Sequence, residues 1–216
     1  MIEVHHLNNS RSQRILWLLE ELNVPYKIVP YQRDSQTMLA PENLKKVHPL
    51  GKSPVICDGE MVLPESGAIV EYLADKYGPG KLAPKVDAPE RPRYLYWMHY
   101  AEGSIMTPIL LAFYAVRFGE AMAPMKDRVQ SQLKLHFDVI EEELEKAPYF
   151  LGDELSAADM MMSFPLEMSG SLGILDDYSN IKEFLERIRA LPSYRSALEK
   201  GGAYDMGGVM KLMPKS

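Results

Sequence analysis

The sequence predicts an α/β domain followed by an all-helical one, on three observations. Over residues 1–80, short runs with strand character alternate with segments of helical periodicity. Between residues 81 and 92, Pro84, Pro89 and Pro92 fall among charged residues, the composition of an exposed linker. From residue 93 to 216 the strand pattern disappears and only helical spacing remains.

Residues 2–6 form a short β run. Residues 10–22 place Ile15, Leu16, Leu18, Leu19 and Leu22 at helical spacing, stopped by Asn23-Val24-Pro25. Residues 26–31 return to strand, and residues 41–47 suit a short helix. Residues 55–63 read as a hairpin with Asp58-Gly59 as its tight turn. Residues 66–77 close the half as an amphipathic helix, with Ala68, Ile69, Tyr72 and Leu73 on one face and Gly78 as its stop. The order β-α-β-α-β-β-α is that of a thioredoxin-like sheet. In the second half, helices are expected over 93–118, 126–146, 156–172 and 181–190, with a shorter one near 194–199. The first two are long enough to form an antiparallel pair in a helical bundle. From Gly201 onward the glycines and the final Pro-Lys-Ser predict a loosely held tail.

Composition narrows the function classes. A net charge of −6, with no Lys/Arg-rich run, argues against nucleic acid as a partner. The opening Ile2-Glu3-Val4 lacks the features of a signal peptide, and the uncharged stretch 103–116 is too short to span a bilayer and carries Pro108. A cytoplasmic protein away from membranes is expected. One cysteine, Cys57, excludes both an internal disulfide and a CxxC redox pair.

Four segments carry chemistry or its local imitation. In Pro49–Val55, a proline just before a hairpin belongs at a strand's start, because it cannot donate to the ladder. In thioredoxin-like folds this proline is cis and bares the backbone of the preceding residue, here Ser53, for strand-like pairing with a peptide. The plain alternative is a loop proline. At Glu65-Ser66, Ser66 suits a helix N-cap. The same helix start suits a carboxylate, and Glu65 an ammonium, so the pair fits a zwitterionic amino-acid end. In the segment 8–14, Ser10 and Gln13 fit a Ser-x-x-Gln capping box. The chemical alternative is that the Ser10 hydroxyl donates to a bound sulfur. Lowering a thiol pKa by about two units needs roughly 2.7 kcal/mol. A charge-assisted hydrogen bond supplies about 1.5–3 kcal/mol and a helix N-terminus up to about 1, so one hydroxyl suffices. Finally, Ser156 and Asp159 form a Ser-x-x-Asp capping box, a folding signal rather than chemistry.

With these residues assembled, the chain resembles the cytosolic glutathione transferase superfamily over nearly its whole length. Lys52-Ser53-Pro54, Glu65-Ser66-Gly67-Ala68-Ile69 and the 155–159 capping box fall in that family's order and approximate spacing. The opening Leu7-Asn8-Asn9-Ser10-Arg11-Ser12-Gln13-Arg14 looks most like a serine-type microbial branch that includes yeast-type transferases. The resemblance implies glutathione as co-substrate, no metal, and a homodimer with one site per subunit. It implies that Lys52 reaches the glycyl carboxylate, Ser53 with Pro54 the cysteinyl backbone, and Glu65 with Ser66 the γ-glutamyl end. Glu102 is the candidate contributed by the partner chain. Leu7, Tyr100, Met106 and Tyr114 are candidates for the pocket of a small apolar electrophile. The family places a Tyr, Ser or Cys at the end of its first strand; Ser10, four residues before Arg14, matches the serine type, with Asn9 and Ser12 as competitors.

Other features have plainer readings. Alternation sends His5 and His6 to opposite faces, against a shared metal. The methionines read as soft core filler, Cys57 as a packing residue, and Glu141-Glu142-Glu143 as a solvated helix face. Three functions remain: thiolate conjugation, a glutathione-dependent peroxidase or disulfide reductase, and a non-enzymatic adaptor, which would have no need of Lys52, Ser53, Glu65 and Ser66.

Overall fold

The computed structural model describes residues 1–34, 37 and 39–202. They form two compact units. The first comprises Met1–Ala88 together with the chain from Ile188 to the end of its last helix, and the second begins at Pro89 and runs to Arg187.

In the first unit, β1 (Ile2–Leu7), β2 (Tyr26–Tyr31), β3 (Val55–Asp58) and β4 (Met61–Pro64) form one mixed sheet in the order β2-β1-β3-β4. The β1–β2 pair is parallel, and the β1–β3 and β3–β4 pairs are antiparallel. This is the thioredoxin-like arrangement. Crossing from β1 to its parallel neighbour requires a helix, and α1 (Gln13–Glu21) supplies it. Residues 13–19 of α1 are all buried. Burying each large apolar side chain among them contributes about 1.5–3 kcal/mol. The second connection is a 3₁₀ turn, Glu42–Lys46, that sinks Leu44 into the core.

The hairpin turn lies one residue later than expected. Asp58 pairs with Met61, leaving Gly59-Glu60 as the two-residue loop. Gly59 has φ +64 and Glu60 has no positive φ, which fits a glycine-first turn. Asp58 is therefore free to take other partners. Its Oδ2 accepts bonds from Tyr72, Lys76 and Tyr77, each at 2.7 Å, which tie the hairpin to α2 (Ser66–Tyr77). The Lys76 ammonium and the two phenols hold the Asp58 carboxyl well below the usual carboxylate range. Gly78 ends α2 without a left-handed φ. A Cβ there would sit 2.3 Å from Leu22 Cδ2, so any larger residue would have to push that side chain aside.

The second unit is all helical. It holds α3 (Arg91–Tyr100), α4 (Met106–Phe118), α5 (Lys126–Lys146), α6 (Ala157–Ser171) and most of α7 (Ser179–Ala190). The helix expected over 93–118 is interrupted by a π turn, Ala101–Ile105. Pro108 has no N–H for the carbonyl four residues back and its ring crowds that turn, which gives the interruption a local cause. α5 matches its expected bounds, and its buried stripe of Val129, Leu133, Phe137, Ile140 and Leu144 keeps helical spacing. α6 is buried from Ala157 to Ser169, with its Met-rich run inside. Phe150 stacks between Trp97 of α3 and Phe184 of α7.

The Ser156–Asp159 capping box is present. The Asp159 carboxylate accepts from the Ser156 N–H (2.8 Å), the Ser156 hydroxyl (2.6 Å) and the Phe150 N–H (2.9 Å). Complete burial pushes its pKa up to about 6 despite these donors. Along the helical run from Arg91 to Lys146, a window of 18 residues reaches a mean hydropathy of 1.3 with only 22% of it buried. By length and composition alone it could cross a bilayer. The π turn, a 3₁₀ turn at Gly119–Met125 and the charges of Arg117 and Glu120 break it.

The last helix, α8 (Pro192–Gly201), exceeds its expected bounds and packs on α1 in the first unit. Trp17 meets Tyr194 edge to face at 5.2 Å and donates its Nε1–H to Ser193. Gly201 closes this helix rather than opening a tail; the tail expected beyond Gly202 lies outside the described residues.

Candidate functional site

Sheet register assembles three of the chemically marked segments. His5 pairs with Val55, and Val55 with Pro64. One step beyond this row lie the end of β1 and its following loop, the Ser53-Pro54 pair, and Glu65-Ser66. Segments distant in sequence therefore share one end of the sheet.

The first segment departs from its expected local role. α1 begins at Gln13 and its N-cap is Ser12, which makes no side-chain cap bond. Ser10 and Gln13 thus do not form a capping box. The Ser10 hydroxyl instead accepts the Ser12 N–H (3.2 Å) and lies 2.7 Å from the Ser12 hydroxyl. Ser12 Oγ also lies 2.8 Å from His6 Nδ1, and His6 Nε2 lies 2.9 Å from the Gly201 carbonyl. Ser12 is fully buried and Ser10 is 5% exposed. Asn9 carries φ +50, a conformation asparagine tolerates better than most residues. Arg33, two residues past the end of β2, fixes this loop: its N–H donates to Asn8 Oδ1, and its guanidinium to the Asn8 and Asn9 carbonyls. Gln13 Nε2 is buried with no hydrogen-bond partner among the described residues.

In the second segment the Ser53-Pro54 peptide is cis. The Ser53 hydroxyl donates to the His5 carbonyl (2.8 Å) and accepts the Leu7 N–H (3.2 Å), extending the β1–β3 ladder. With its side chain engaged, what Ser53 offers a ligand is its main chain. Pro54 is buried and Lys52 exposed. In the third segment Ser66 is the first residue of α2 rather than its cap; the cap is Glu65, at φ 73 and ψ 118. Such a backbone in a non-glycine residue costs on the order of 1–3 kcal/mol, and outliers of this kind gather at functional sites. Glu65 is exposed, so its carboxylate is accessible, while Ser66 is buried at the α2 N-terminus.

The remaining candidates lie in the second unit, apart from Leu7, which is buried at the end of β1. Tyr100 is buried and shares a 2.5 Å hydrogen bond with His136 Nδ1; burial pushes its phenol up and the imidazole down. Met106 opens α4 and is buried, whereas Tyr114 is exposed on α4. Glu102 sits in the π turn, half-buried.

His5 and His6 do take opposite faces: His5 meets Tyr31 and Cys57, and His6 meets Ser12. Among the described residues no three His, Cys, Asp or Glu side chains gather to hold a metal ion. A concavity of about 620 Å³ lined by Leu19, Asn23, Pro25, Tyr26 and Lys200 lies at the far end of α1. Its charged members, Glu20 and Lys200, pair with each other, so it presents no reactive group. Sequence reasoning missed Arg33, His6 and Gly201. His6 was weighed only as a metal ligand, and no spacing rule links it to a glycine 195 positions away.

Comparison with known proteins gives the family and the fold. Residues 1–75 match the family model described as glutathione S-transferase, N-terminal domain, and residues 98–192 that of the C-terminal domain. The chain is 37% identical to glutathione S-transferase 3 of Schizosaccharomyces pombe, over 93% of this chain and 88% of that one. It is 34% identical to glutathione S-transferase 1 of Saccharomyces cerevisiae, over 94% and 96%. A glutathione S-transferase crystal structure from Actinobacillus pleuropneumoniae superposes with a TM-score of 0.87 at 36% identity, covering 95% of both chains.

Proposed function

The chain belongs to the glutathione S-transferase family, an enzyme family whose co-substrate is glutathione, and we propose that Ser10 is the residue that stabilises the glutathione thiolate here. The observation that carries the proposal is the register of the sheet. It lines up a hydroxyl loop, a cis-proline peptide and a helix N-terminus with a carboxylate beside it. These are complementary to a thiol, a peptide backbone and a zwitterionic amino-acid end, in the order in which glutathione carries them. Lys52 takes the glycyl carboxylate, the Ser53 main chain beside Pro54 the cysteinyl unit, and Glu65 with the α2 N-terminus the γ-glutamyl end. Ser12 is fully buried and Asn9 has no hydroxyl, which favours Ser10 over both.

The second substrate in this reading is a small apolar electrophile, attacked by substitution or addition. Tyr100, Met106 and Tyr114 are the residues the helical unit offers it. We further infer a cytoplasmic homodimer of the yeast-like branch, with Glu102 reaching the partner's glutathione. The exposed apolar residues Val116 and Phe118 of α4 support a covered face.

The test is a glutathione titration followed at the ultraviolet thiolate band, on the wild type and Ser10→Ala. A bound thiol of lowered pKa in the wild type, restored toward about 8.5 in the variant, is expected. An equal depression in both proteins would move the role away from Ser10. Comparing a chloronitroaromatic with a hydroperoxide as acceptor separates conjugation from peroxidase activity.

A further inference from the structure

The hydroxyl loop does not stop at Ser10. Ser10 Oγ, Ser12 Oγ and His6 Nδ1 form an unbroken line, with steps of 2.7 and 2.8 Å. The far end of the line fixes the direction of every proton in it. A carbonyl only accepts, so the 2.9 Å contact with Gly201 requires the proton of His6 to sit on Nε2. In the neutral ring Nδ1 is then an acceptor, and Ser12 must donate to it. The alternative acceptor for that hydroxyl, the Leu7 carbonyl, is farther at 3.3 Å. Ser12 Oγ in turn accepts from Ser10. Before substrate arrives, Ser10, which also accepts the Ser12 N–H, therefore presents its remaining lone pair rather than a proton to whatever approaches it.

We propose that His6 is the terminal acceptor of the glutathione thiol proton, reached through Ser10 and Ser12. The inference rests on the reading of Ser10 given above. The S–H bond breaks as its proton passes to Ser10 Oγ. The proton originally on Ser10 passes to Ser12 Oγ, and that of Ser12 forms a bond to His6 Nδ1. The products are a thiolate and an imidazolium, with atoms and charge conserved. The shift also reverses the line. Ser12 now accepts from His6, Ser10 accepts from Ser12, and the Ser10 hydroxyl donates to the sulfur. The imidazolium keeps its Nε2–H on Gly201 throughout.

The surroundings suit this role. Burial lowers the basicity of His6 in the free protein, which leaves Nδ1 an acceptor there and makes the charged ring costly until a thiolate forms beside the line. A thiolate formed nearby favours the charged ring. Charged groups on the elements packed around the imidazole are engaged elsewhere: Glu20 with Lys200 and Tyr26, Glu21 with Ser193, Arg14 with the Arg11 carbonyl, and Glu3 with Lys27. Gly201 lies in close contact with the site. A Cβ there would lie 2.4 Å from Leu16 Cδ1 and 3.3 Å from His6 Nε2. His6 acts through Ser12 and Ser10 and is a positioning residue that also stores a proton.

A proton inventory tests the proposal. Glutathione is added to the full chain in weak buffer, and the thiolate band and a pH indicator are recorded together. The expected result is a thiolate signal with much less than one proton released per thiolate. In His6→Gln the amide can still donate to Gly201 and accept from Ser12, but it cannot hold a proton. That variant, and Ser12→Ala, which leaves His6 in place, should release one proton for each thiolate formed. A wild-type signal with one-to-one release overturns the relay while leaving Ser10 as the thiolate's partner. No thiolate signal at all overturns the Ser10 reading, and the relay with it.

Discussion

Two helix starts in this chain carry nearly the same four-residue pattern and fold differently. Ser156-Ala157-Ala158-Asp159 becomes a closed capping box in which one carboxylate takes three donors. Ser10-Arg11-Ser12-Gln13 does not. Its N-cap, Ser12, makes no side-chain cap bond, its hydroxyls run to a histidine, and its glutamine leaves a buried amide nitrogen without a partner among the described residues. The first follows the local rule and serves stability. The second breaks the rule where the chemistry is proposed, and the neighbouring Asn9 and Arg33 contacts hold the irregular loop in place. Departures from local consistency of this kind mark functional sites.

The largest test of this contrast is Asp159→Ala. It strands two backbone N–H groups and a hydroxyl in the core and should cost roughly 3–5 kcal/mol of stability, read in thermal or denaturant unfolding. A loss below about 1 kcal/mol would mean that the box is ornamental and the contrast empty.

The next effect is in pH. The folded Asp159 holds its proton up to about pH 6, against a reference value of 3.8. The native state therefore binds the proton more tightly than the unfolded chain. The resulting stabilisation is fully present below about pH 4 and is lost as pH rises through about 6. The shift corresponds to on the order of 3 kcal/mol. Unfolding of the wild type and Asp159→Asn across this range should show the difference between them changing, since the amide does not titrate. Parallel curves would contradict the assignment.

At the other helix start the expected effect is mainly kinetic. Ser10→Ala should lower kcat/KM by roughly 10- to 150-fold, the equivalent of about 1.5–3 kcal/mol, and, because it strands the buried Ser12 N–H, cost about 1 kcal/mol of stability. A large loss of stability with intact turnover would make Ser10 another structural cap. The smallest effect is Ser156→Ala, at about 1 kcal/mol of stability and no change in turnover.

How far each region was legible follows from the range of its interactions. α5 was readable to both ends because its buried stripe and flanking residues are local. α2 was readable in its bounds, but its cap was not: nothing in Pro64-Glu65-Ser66 announces a glutamate at φ 73, which the chain's path into the helix imposes. The hairpin turn was misplaced by one residue because Asp58-Gly59 looks like a turn pair locally, whereas Asp58 pairs with Met61 and its side chain is taken by Tyr72, Lys76 and Tyr77 from α2. The π turn needed Pro108 to be weighed against the ladder behind it. His6 was visible as a residue but not as part of a line, because its outer partner is a carbonyl 195 positions away. The expectation of a tail hid that partner.

The docking of α8 against α1 has a consequence for synthesis. Trp17, His6 and Leu16 emerge early from the ribosome, but the helix that covers them is made last. At ordinary elongation rates about a hundred residues separate Ala88 from α8, a delay on the order of ten seconds. Throughout that interval the nascent sheet unit carries an uncovered aromatic and aliphatic face of the kind holdase chaperones bind. Premature termination anywhere in the helical region would release a sheet unit with its seam open.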